Sequence, residues 1–279
     1  MHWIAPAKIN LFLRVLRKRA DGYHDIVSLM QKITLYDELI FSPRPKGIIL
    51  NCPGSNLSAN EDNLVIRAAK CIFDYCNYPS GMEITLYKKI PMTAGLGGGS
   101  SDAATTLKAL NKICSLKLKK EELLRLGAKI GADVPFFIFG NTALASGIGD
   151  KLKHLPNLPQ LNLLLIKPPF DLSTKMVYKN LNLRLTRGKN NYSIPRFFAL
   201  SDIVQGLYND LESVSLEIYP ELADFKKMLL SHGALGALMS GSGPTVFGIF
   251  RNGKEAKKAL ESIKKEVSDQ CTVFLAKSL

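Results

Sequence analysis

Residues 91–104 read PMTAGLGGGSSDAA, with four glycines in five positions just before a helical pattern. Glycine at this density costs conformational entropy that an ordinary surface turn does not need. The first N–H groups of a helix have no partner within the helix, so a glycine-rich loop that leads into one can bind an anion. The stretch therefore predicts a phosphate-binding loop in which Ser100 and Ser101 cap the helix or donate hydroxyl groups. The spacing leaves open a glycine-rich packing turn with a serine N-cap.

Two common phosphate-loop patterns do not fit this stretch. The Walker A pattern requires a lysine after the glycines, and none follows here. The dinucleotide pattern GxGxxG has Ser100 in place of its third glycine, and Glu121 and Glu122, at the distance of its acidic residue, lie in a helical pattern. We expect Asp102 to lie in the first helical turn, where it suits the helix dipole, and to point away from a phosphate.

Composition narrows the class of protein. The 279 residues are 46% hydrophobic, and helical and strand patterns are mixed, which favours an α+β fold of one long domain or two. No apolar run reaches the length of a membrane span, and the N-terminus lacks the features of a signal peptide. The five cysteines include no CxxC pair, which fits a reducing cytoplasm. The net charge of +13 fits anionic substrates, nucleic acid or simply a solvated lysine-rich surface. Four scattered histidines without a ligand spacing argue against a structural zinc site.

The chain contains no internal repeat. Alternating residues 4–16 predict a strand, residues 61–76 predict a helix capped by Asn60 or Asp62, and residues 81–92 predict a strand that runs directly into the glycine loop. The proline-containing PNLPQ segment predicts a boundary between domains 1–155 and 156–279. Residues 184–196 are polar and predict a mobile loop.

Two charged residues are candidates for chemistry. Lys8 shares one strand face with Asn10, inside an otherwise apolar strand, so it contacts either water at a sheet edge or an anionic partner. Asp133, in GADVPFF, follows one helical pattern and precedes Pro135. It is either a cap of the next turn or a general base.

Several other residues could contact a ligand. The segment SGSGPTVFGIF, residues 240–250, is a second Gly/Ser turn that either closes over the same ligand or forms a hairpin. Tyr23 and His24 are adjacent, and Thr174 and Tyr178 share one helical face. Such aromatic side chains stack on a base or are buried in the core.

In combination, these segments resemble the GHMP kinase superfamily. PAKINLFL (6–13), RADGYH (19–24), IPMTAGLGGGSSDAA (90–104), GADVPFF (131–137) and SGSGPTVF (240–247) occur in the order found in that family. The resemblance implies a two-domain α+β fold with the active site in the cleft between the domains. The triple glycine, with RADGYH and GADVPFF, points to the branch that phosphorylates a diphosphocytidyl-linked methylerythritol for isoprenoid synthesis.

The resemblance also implies residue roles. Asp133 would be the catalytic base, and Lys8 would keep it ionised and stabilise the developing charge. Asn10, Tyr23 and His24 would contact the substrate, His24 near the cytosine, with Thr174 beside the cytidine and Tyr178 stacked on its ring. ATP would be the cosubstrate and Mg²⁺ is expected with it, but no residue is assigned to the metal. The phosphates of ATP would be bound by Pro91, Met92, Thr93, Ala94, Gly95, Leu96, Gly97, Gly98, Gly99, Ser100 and Ser101.

Two other functions remain open at this point. One is a different small-molecule kinase of the same family, of the homoserine or mevalonate type. The other is a non-catalytic nucleotide- or RNA-binding protein that uses the basic surface. We favour an enzyme with small-molecule partners and no nucleic acid or membrane partner, as a monomer or homodimer.

Overall fold

The computed structural model describes residues 1–155, 158–181 and 199–279. The chain divides into two compact units, and each draws on more than one stretch of sequence. The first comprises residues 1–7, 35–92 and 97–141, and the second comprises residues 8–34, 93–96 and 142–279. The single boundary after residue 155 stays a prediction.

Strands β1 (His2–Lys18) and β2 (His24–Arg44) are long enough to contribute to both units. In the first unit, the second half of β2 pairs antiparallel with β4 (Gly81–Tyr87), and β3 (Ile48–Asn51) pairs parallel with β4. The strand predicted at residues 4–16 is confirmed. Strand β4 ends four residues before Pro91, so the prediction that it runs directly into the glycine loop is wrong.

The helices of the first unit are α1 (Leu64–Cys76), α2 (Gly98–Ile113), α3 (Lys120–Ile130) and α4 (Val134–Phe139). Helix α1 packs on α2, and both present small and aliphatic residues to the interior. Its N-cap is Asn63, whose side-chain oxygen accepts a hydrogen bond from the Val65 N–H at 2.9 Å. The predicted caps are therefore wrong, because Asn60 instead closes the preceding turn by accepting from the Asp62 N–H.

The residues that the structure describes in the second unit form two groups of paired strands. The first half of β2 pairs with β5 (Thr142–Gly147), which pairs with β6 (Lys151–Lys153), and β1 pairs with β8 (Tyr208–Asn209). A separate antiparallel sheet has the order β11 (Thr272–Lys277), β7 (Asn162–Lys167), β10 (Val246–Phe250), β9 (Gly236–Met239). Strand β7 is central and buried on both faces, which explains its continuous apolar run.

In the described part of the second unit, the helices are α5 (Thr174–Asn180), α6 (Leu200–Gln205), α7 (Asp210–Ile218), α8 (Glu221–Ser231) and α9 (Gly253–Glu266). Helices α8 and α9 pack on the four-stranded sheet and bury apolar residues against β7 and β10. The predicted loop at 184–196 lies outside the described residues. Across the described ranges, no helix combines the length and the apolar character needed to traverse a bilayer.

Candidate functional site

The glycine-rich loop contains residues in the left-handed region of backbone conformation, which side chains other than glycine rarely adopt. Thr93, Gly95 and Gly97 have φ values of 48°, 74° and 70°. Helix α2 begins at Gly98, after Gly97 in the N-cap position and without a side-chain cap. Capping by Ser100 or Ser101 is therefore wrong, because both serines lie inside the helix, and Ser101 is fully buried. Asp102 is likewise beyond the first turn, which corrects the argument that placed it next to the helix dipole.

Close packing explains two of the glycines. A Cβ atom on Gly95 would overlap the carbonyl oxygen of Ser240, and one on Gly98 would lie 3.0 Å from Ile90 Cγ2 and 3.1 Å from Lys88 Nζ. At Gly99 the nearest contact would be an ordinary 3.4 Å to Leu64 Cδ1. Internal packing thus does not require Gly99, and its missing side chain leaves the first turn of α2 open to an approaching group.

Lys8 is buried, with 4% of its surface exposed. Its ammonium group donates hydrogen bonds to Asn10 Oδ1 at 2.6 Å and to the Gly95 carbonyl oxygen at 2.9 Å. Asn10 donates in turn to Ser28 Oγ at 2.7 Å. The interpretation of Lys8 as a solvent-facing lysine at a sheet edge is wrong, since the ammonium group is fixed against the glycine loop.

The second Gly/Ser turn joins β9 to β10, so the hairpin alternative is confirmed. The turn also contacts the glycine loop. Ser240 Oγ donates to the Gly95 carbonyl oxygen at 3.0 Å, and the Thr245 N–H donates to the Ala94 carbonyl oxygen at 3.4 Å. The Gly95 carbonyl oxygen therefore accepts from both Ser240 and Lys8.

The structure brings together two aromatic residues that the sequence marks separately. The rings of His24 and Tyr178 are stacked, with centroids 5.0 Å apart and an interplanar angle of 29°. Burial lowers the pKa of His24, and the nearby Lys18 charge lowers it further, so the imidazole is mainly neutral near pH 7. Tyr23 is 58% exposed. Thr174 Oγ1 lies 2.8 Å from Ser242 Oγ, which connects α5 to the second Gly/Ser turn.

Asp133 lies in the first unit, directly before α4. It occupies the N-cap position, but its side chain makes no capping hydrogen bond, and Pro135 follows in the first turn. The alternative in which Asp133 caps the turn is therefore wrong.

A buried ionic cluster next to α2 was not predicted from sequence. The Lys88 ammonium group lies 2.5 Å from Asp37 Oδ2 and 2.8 Å from Asp102 Oδ2. Asp37 Oδ1 also accepts from the backbone N–H groups of Lys89 and Ile90, at 2.6 and 2.8 Å. The cluster thereby fixes the segment that enters the glycine loop. The sequence contains no clear indication of this cluster, because Asp37, Lys88 and Asp102 are separated in the chain and do not form a motif.

The protonation of this cluster is unusual. Burial raises the pKa of Asp102 to about 7; the Lys88 charge opposes this effect, and the neighbouring Asp37 charge adds to it. The pKa of Lys88 is raised, because attraction to Asp102 and Asp37 exceeds the effect of burial. Two carboxylates that share one lysine leave an excess negative charge, which a proton on Asp102 removes.

The described residues do not form a dedicated metal site, since none of their His, Cys, Asp and Glu side chains cluster in groups of three or more. Asp102, the carboxylate nearest the start of α2, is already paired with Lys88.

Sequence comparison identifies the class of protein. A model described as "GHMP kinases N terminal domain" matches residues 63–141, and one described as "GHMP kinases C terminal" matches residues 197–269. The chain belongs to the GHMP kinase family, and the α+β two-domain fold of that family is confirmed. As a member, it is a kinase that uses ATP.

Individual relatives show which members of the family the chain is most similar to among those compared. The chain is 56% identical to the 4-diphosphocytidyl-2-C-methyl-D-erythritol kinase of Syntrophus aciditrophicus (strain SB), over 92% of each chain. It is 46% identical to the kinase of the same name from Syntrophotalea carbinolica, over 94% of this chain and 93% of the relative. A crystal structure of 4-(cytidine 5'-diphospho)-2C-methyl-D-erythritol kinase matches with a TM-score of 0.85 and 33% identity, over 100% of this chain and 99% of that one. The mevalonate kinase of Methanococcus jannaschii, at 18% identity and a TM-score of 0.75, shares the fold.

Proposed function

We propose that this chain transfers the γ-phosphoryl group of ATP to the 2-hydroxyl group of 4-diphosphocytidyl-2-C-methyl-D-erythritol, in the non-mevalonate synthesis of isoprenoid precursors. The observation that carries the proposal is 56% identity, over 92% of both chains, to a kinase named for this substrate. Homoserine and mevalonate kinases among the solved structures are 17–21% identical, so the alternative substrates are not favoured.

We assign ATP phosphate binding to the loop 91–101. Helix α2 offers N–H groups without helical partners at its start, and no acidic residue lies in its first turn. The charge of Asp102 is compensated by Lys88 and by its raised pKa, so it does not repel a phosphate. The bare backbone at Gly99 supports the same assignment.

We assign the proton transfer to Asp133. In the proposed reaction the substrate hydroxyl oxygen forms a bond to the γ-phosphorus, and the bond from that phosphorus to the β–γ bridging oxygen breaks. The hydroxyl proton moves to the Asp133 carboxylate, and ADP leaves. Lys8 contributes a fixed positive charge that stabilises the negative charge spread over the transferred group, which is the main protein contribution in phosphoryl transfer.

We assign the cytidine end of the substrate to Tyr178 and His24, with Thr174, Asn10 and Tyr23 as further contacts. A stacked pair of aromatic rings offers a face on which a pyrimidine can continue the stack. A neutral imidazole has one donor and one acceptor nitrogen, which suits the polar edge of cytosine.

We expect Mg²⁺ to arrive with ATP, held by phosphate oxygens and water, which is its usual mode in kinases. No residue is assigned to the ion. We further propose a cytoplasmic enzyme whose partners are the two small molecules, without nucleic acid or membrane, as a monomer or homodimer.

A panel of hydroxyl substrates with radiolabelled ATP tests the substrate. Label on the diphosphocytidyl compound supports the proposal, and label on homoserine or mevalonate instead would overturn it. Strong salt-dependent RNA binding without turnover would favour the non-catalytic alternative.

The Asp133→Asn variant tests the catalytic base. We expect turnover to fall about 10²–10⁴-fold while ATP binding is retained, because the amide cannot accept the proton. Asp150→Asn is a matched control, since Asp150 lies in an exposed turn where its Oδ1 accepts from the Ile148 N–H. Near-normal turnover in Asp133→Asn removes this residue from the mechanism.

A further inference from the structure

The segment NDLE, residues 209–212, carries buried polar groups that lie outside the proposed substrate and phosphate contacts. Asn209 and Asp210 are 6% and 4% exposed. They lie where β8 ends and α7 begins. Polar side chains at a helix start are usually solvated caps, so their burial requires another explanation.

Asn209 uses its whole amide group. Its Nδ2 donates to the carbonyl oxygens of Met239 at 2.8 Å and Gly241 at 2.7 Å. Its Oδ1 accepts from the Leu211 N–H at 3.0 Å and so caps α7. One donor is therefore directed at the end of β9 and the other at the second Gly/Ser turn, and both are separate from the cap.

Two neighbouring carboxylates act on the same region. Glu212 Oε1 accepts from the Met239 N–H at 2.9 Å, so both backbone groups of Met239 are bound by this segment. Asp210 Oδ2 accepts from the Val15 N–H at 2.7 Å. The segment thus connects the second Gly/Ser turn to β1, the strand that carries Lys8.

The second Gly/Ser turn contacts the glycine loop, because Ser240 Oγ donates to the Gly95 carbonyl oxygen. Its backbone also lies close to Lys8, since a Cβ atom on Gly241 would be only 3.2 Å from Lys8 Nζ and 3.2 Å from Asn10 Oδ1. A displacement of the turn therefore changes the position of both Gly95 and the Lys8 ammonium group.

We propose that Asn209 is a positioning residue for phosphoryl transfer, which holds the turn at 240–243 so that this turn fixes Gly95 and Lys8. The inference rests on the proposed function, because the turn can affect phosphoryl transfer only if the chain catalyses that reaction. Asn209 contacts neither substrate, and its effect passes through the turn.

The Asn209→Ser variant separates this role from helix capping. Serine is a good N-cap, so α7 remains capped, but its hydroxyl does not reach two carbonyl groups. Asn252→Ser is a matched control, because Asn252 caps α9 through the Glu255 N–H in an exposed position. We expect Asn209→Ser to lower kcat about 10- to 100-fold, since small misplacements of reacting groups have effects of this size. The control should retain its activity.

Hydrogen exchange supplies a readout that does not depend on activity. The N–H groups of Gly243, Thr245 and Lys8 donate to Ser240, Ala94 and Leu96, so they report on the turn and the loop. We expect their exchange to accelerate at least about tenfold in Asn209→Ser, while the Leu211 N–H keeps its protection. Unchanged exchange at all three amides, or loss of protection confined to α7, would overturn the proposal.

The two hypotheses fail in different ways. If the wild-type chain does not phosphorylate the diphosphocytidyl compound, the proposed function fails, and exchange still decides whether Asn209 holds the turn. If Asn209→Ser does not fold, Glu212→Ala releases the same turn at Met239 and is measured in the same way.

Discussion

Replacing Asp102 by asparagine should change how the stability of the protein depends on pH. Asp102 is buried beside Lys88 and Asp37, and burial raises its pKa from 3.8 to about 7. Asparagine has the same shape and can still accept a hydrogen bond from Lys88, but it cannot bind a proton in this pH range. The substitution therefore removes one titration with little change in packing.

The expected size follows from proton linkage. A raised pKa in the folded state means that the folded protein keeps a proton that the unfolded chain releases as pH rises above 3.8. The free energy of unfolding therefore falls between about pH 4 and pH 7. At about 1.4 kcal/mol for each pH unit, the interval from 3.8 to about 7 corresponds to about 4 kcal/mol. The Lys88 charge titrates only at much higher pH and does not contribute in this interval.

Urea unfolding at several values from about pH 4.5 to about pH 7.5 measures this effect. We expect the difference in unfolding free energy between wild type and Asp102→Asn to shift by several kcal/mol across the series, in favour of the variant at higher pH. Asp171→Asn is the control, because hydrogen bonding to Thr93 lowers the pKa of Asp171 and confines its contribution to pH changes below 3.8. Parallel curves for wild type and Asp102→Asn would refute the assignment of the proton to this cluster.

Two further substitutions test the glycine loop and the aromatic pair. Gly95→Ala should lower the free energy of unfolding by at least about 1–2 kcal/mol, because alanine disfavours a φ of 74° and its Cβ would overlap the carbonyl oxygen of Ser240. Thermal unfolding measures this loss against Gly99→Ala, where the added Cβ makes only an ordinary contact. Equal stability of the two variants would contradict the packing argument. Tyr178→Leu should raise the KM for the diphosphocytidyl substrate about tenfold with little change in kcat, since stacking on an aromatic ring contributes about 1–3 kcal/mol per base. Steady-state kinetics measures both constants, and an unchanged KM would exclude Tyr178 from the substrate site.

Local patterns were sufficient to predict many of the elements. Residue periodicity predicts β1 and the helical pattern of α2, and the Gly/Ser segment 240–250 gives the hairpin as one of two alternatives, because each depends on residues close together in sequence. Helix boundaries were less accurate, as at α1, where three neighbouring polar residues are all acceptable caps and only the backbone path selects Asn63.

The environment of single polar residues could not be predicted in this way. The pattern around Lys8 is compatible with an exposed edge and with a buried contact, and the deciding acceptor is the Gly95 carbonyl oxygen, 87 residues away. The pairing of Asp37 with Lys88 spans 51 residues, and Asn209 bonds to a turn some 30 residues later. The sequence marks such residues as candidates, but their partners are determined by the tertiary structure.

The interleaved composition of the second unit has a consequence for synthesis on the ribosome. Residues 8–34 belong to this unit together with residues 142–279, and β11, near residue 277, completes its four-stranded sheet beside β7. Strands β2 and β1 therefore emerge long before β5 and β8, their later partners in this unit, and such non-local pairing is slow to form and leaves strand edges exposed to aggregation in the meantime. A fragment that starts at residue 156 lacks the Val15 N–H, the Gly95 carbonyl oxygen and the Lys8 ammonium group, which are partners in the contacts described for this unit. Such a fragment therefore cannot form the complete unit on its own.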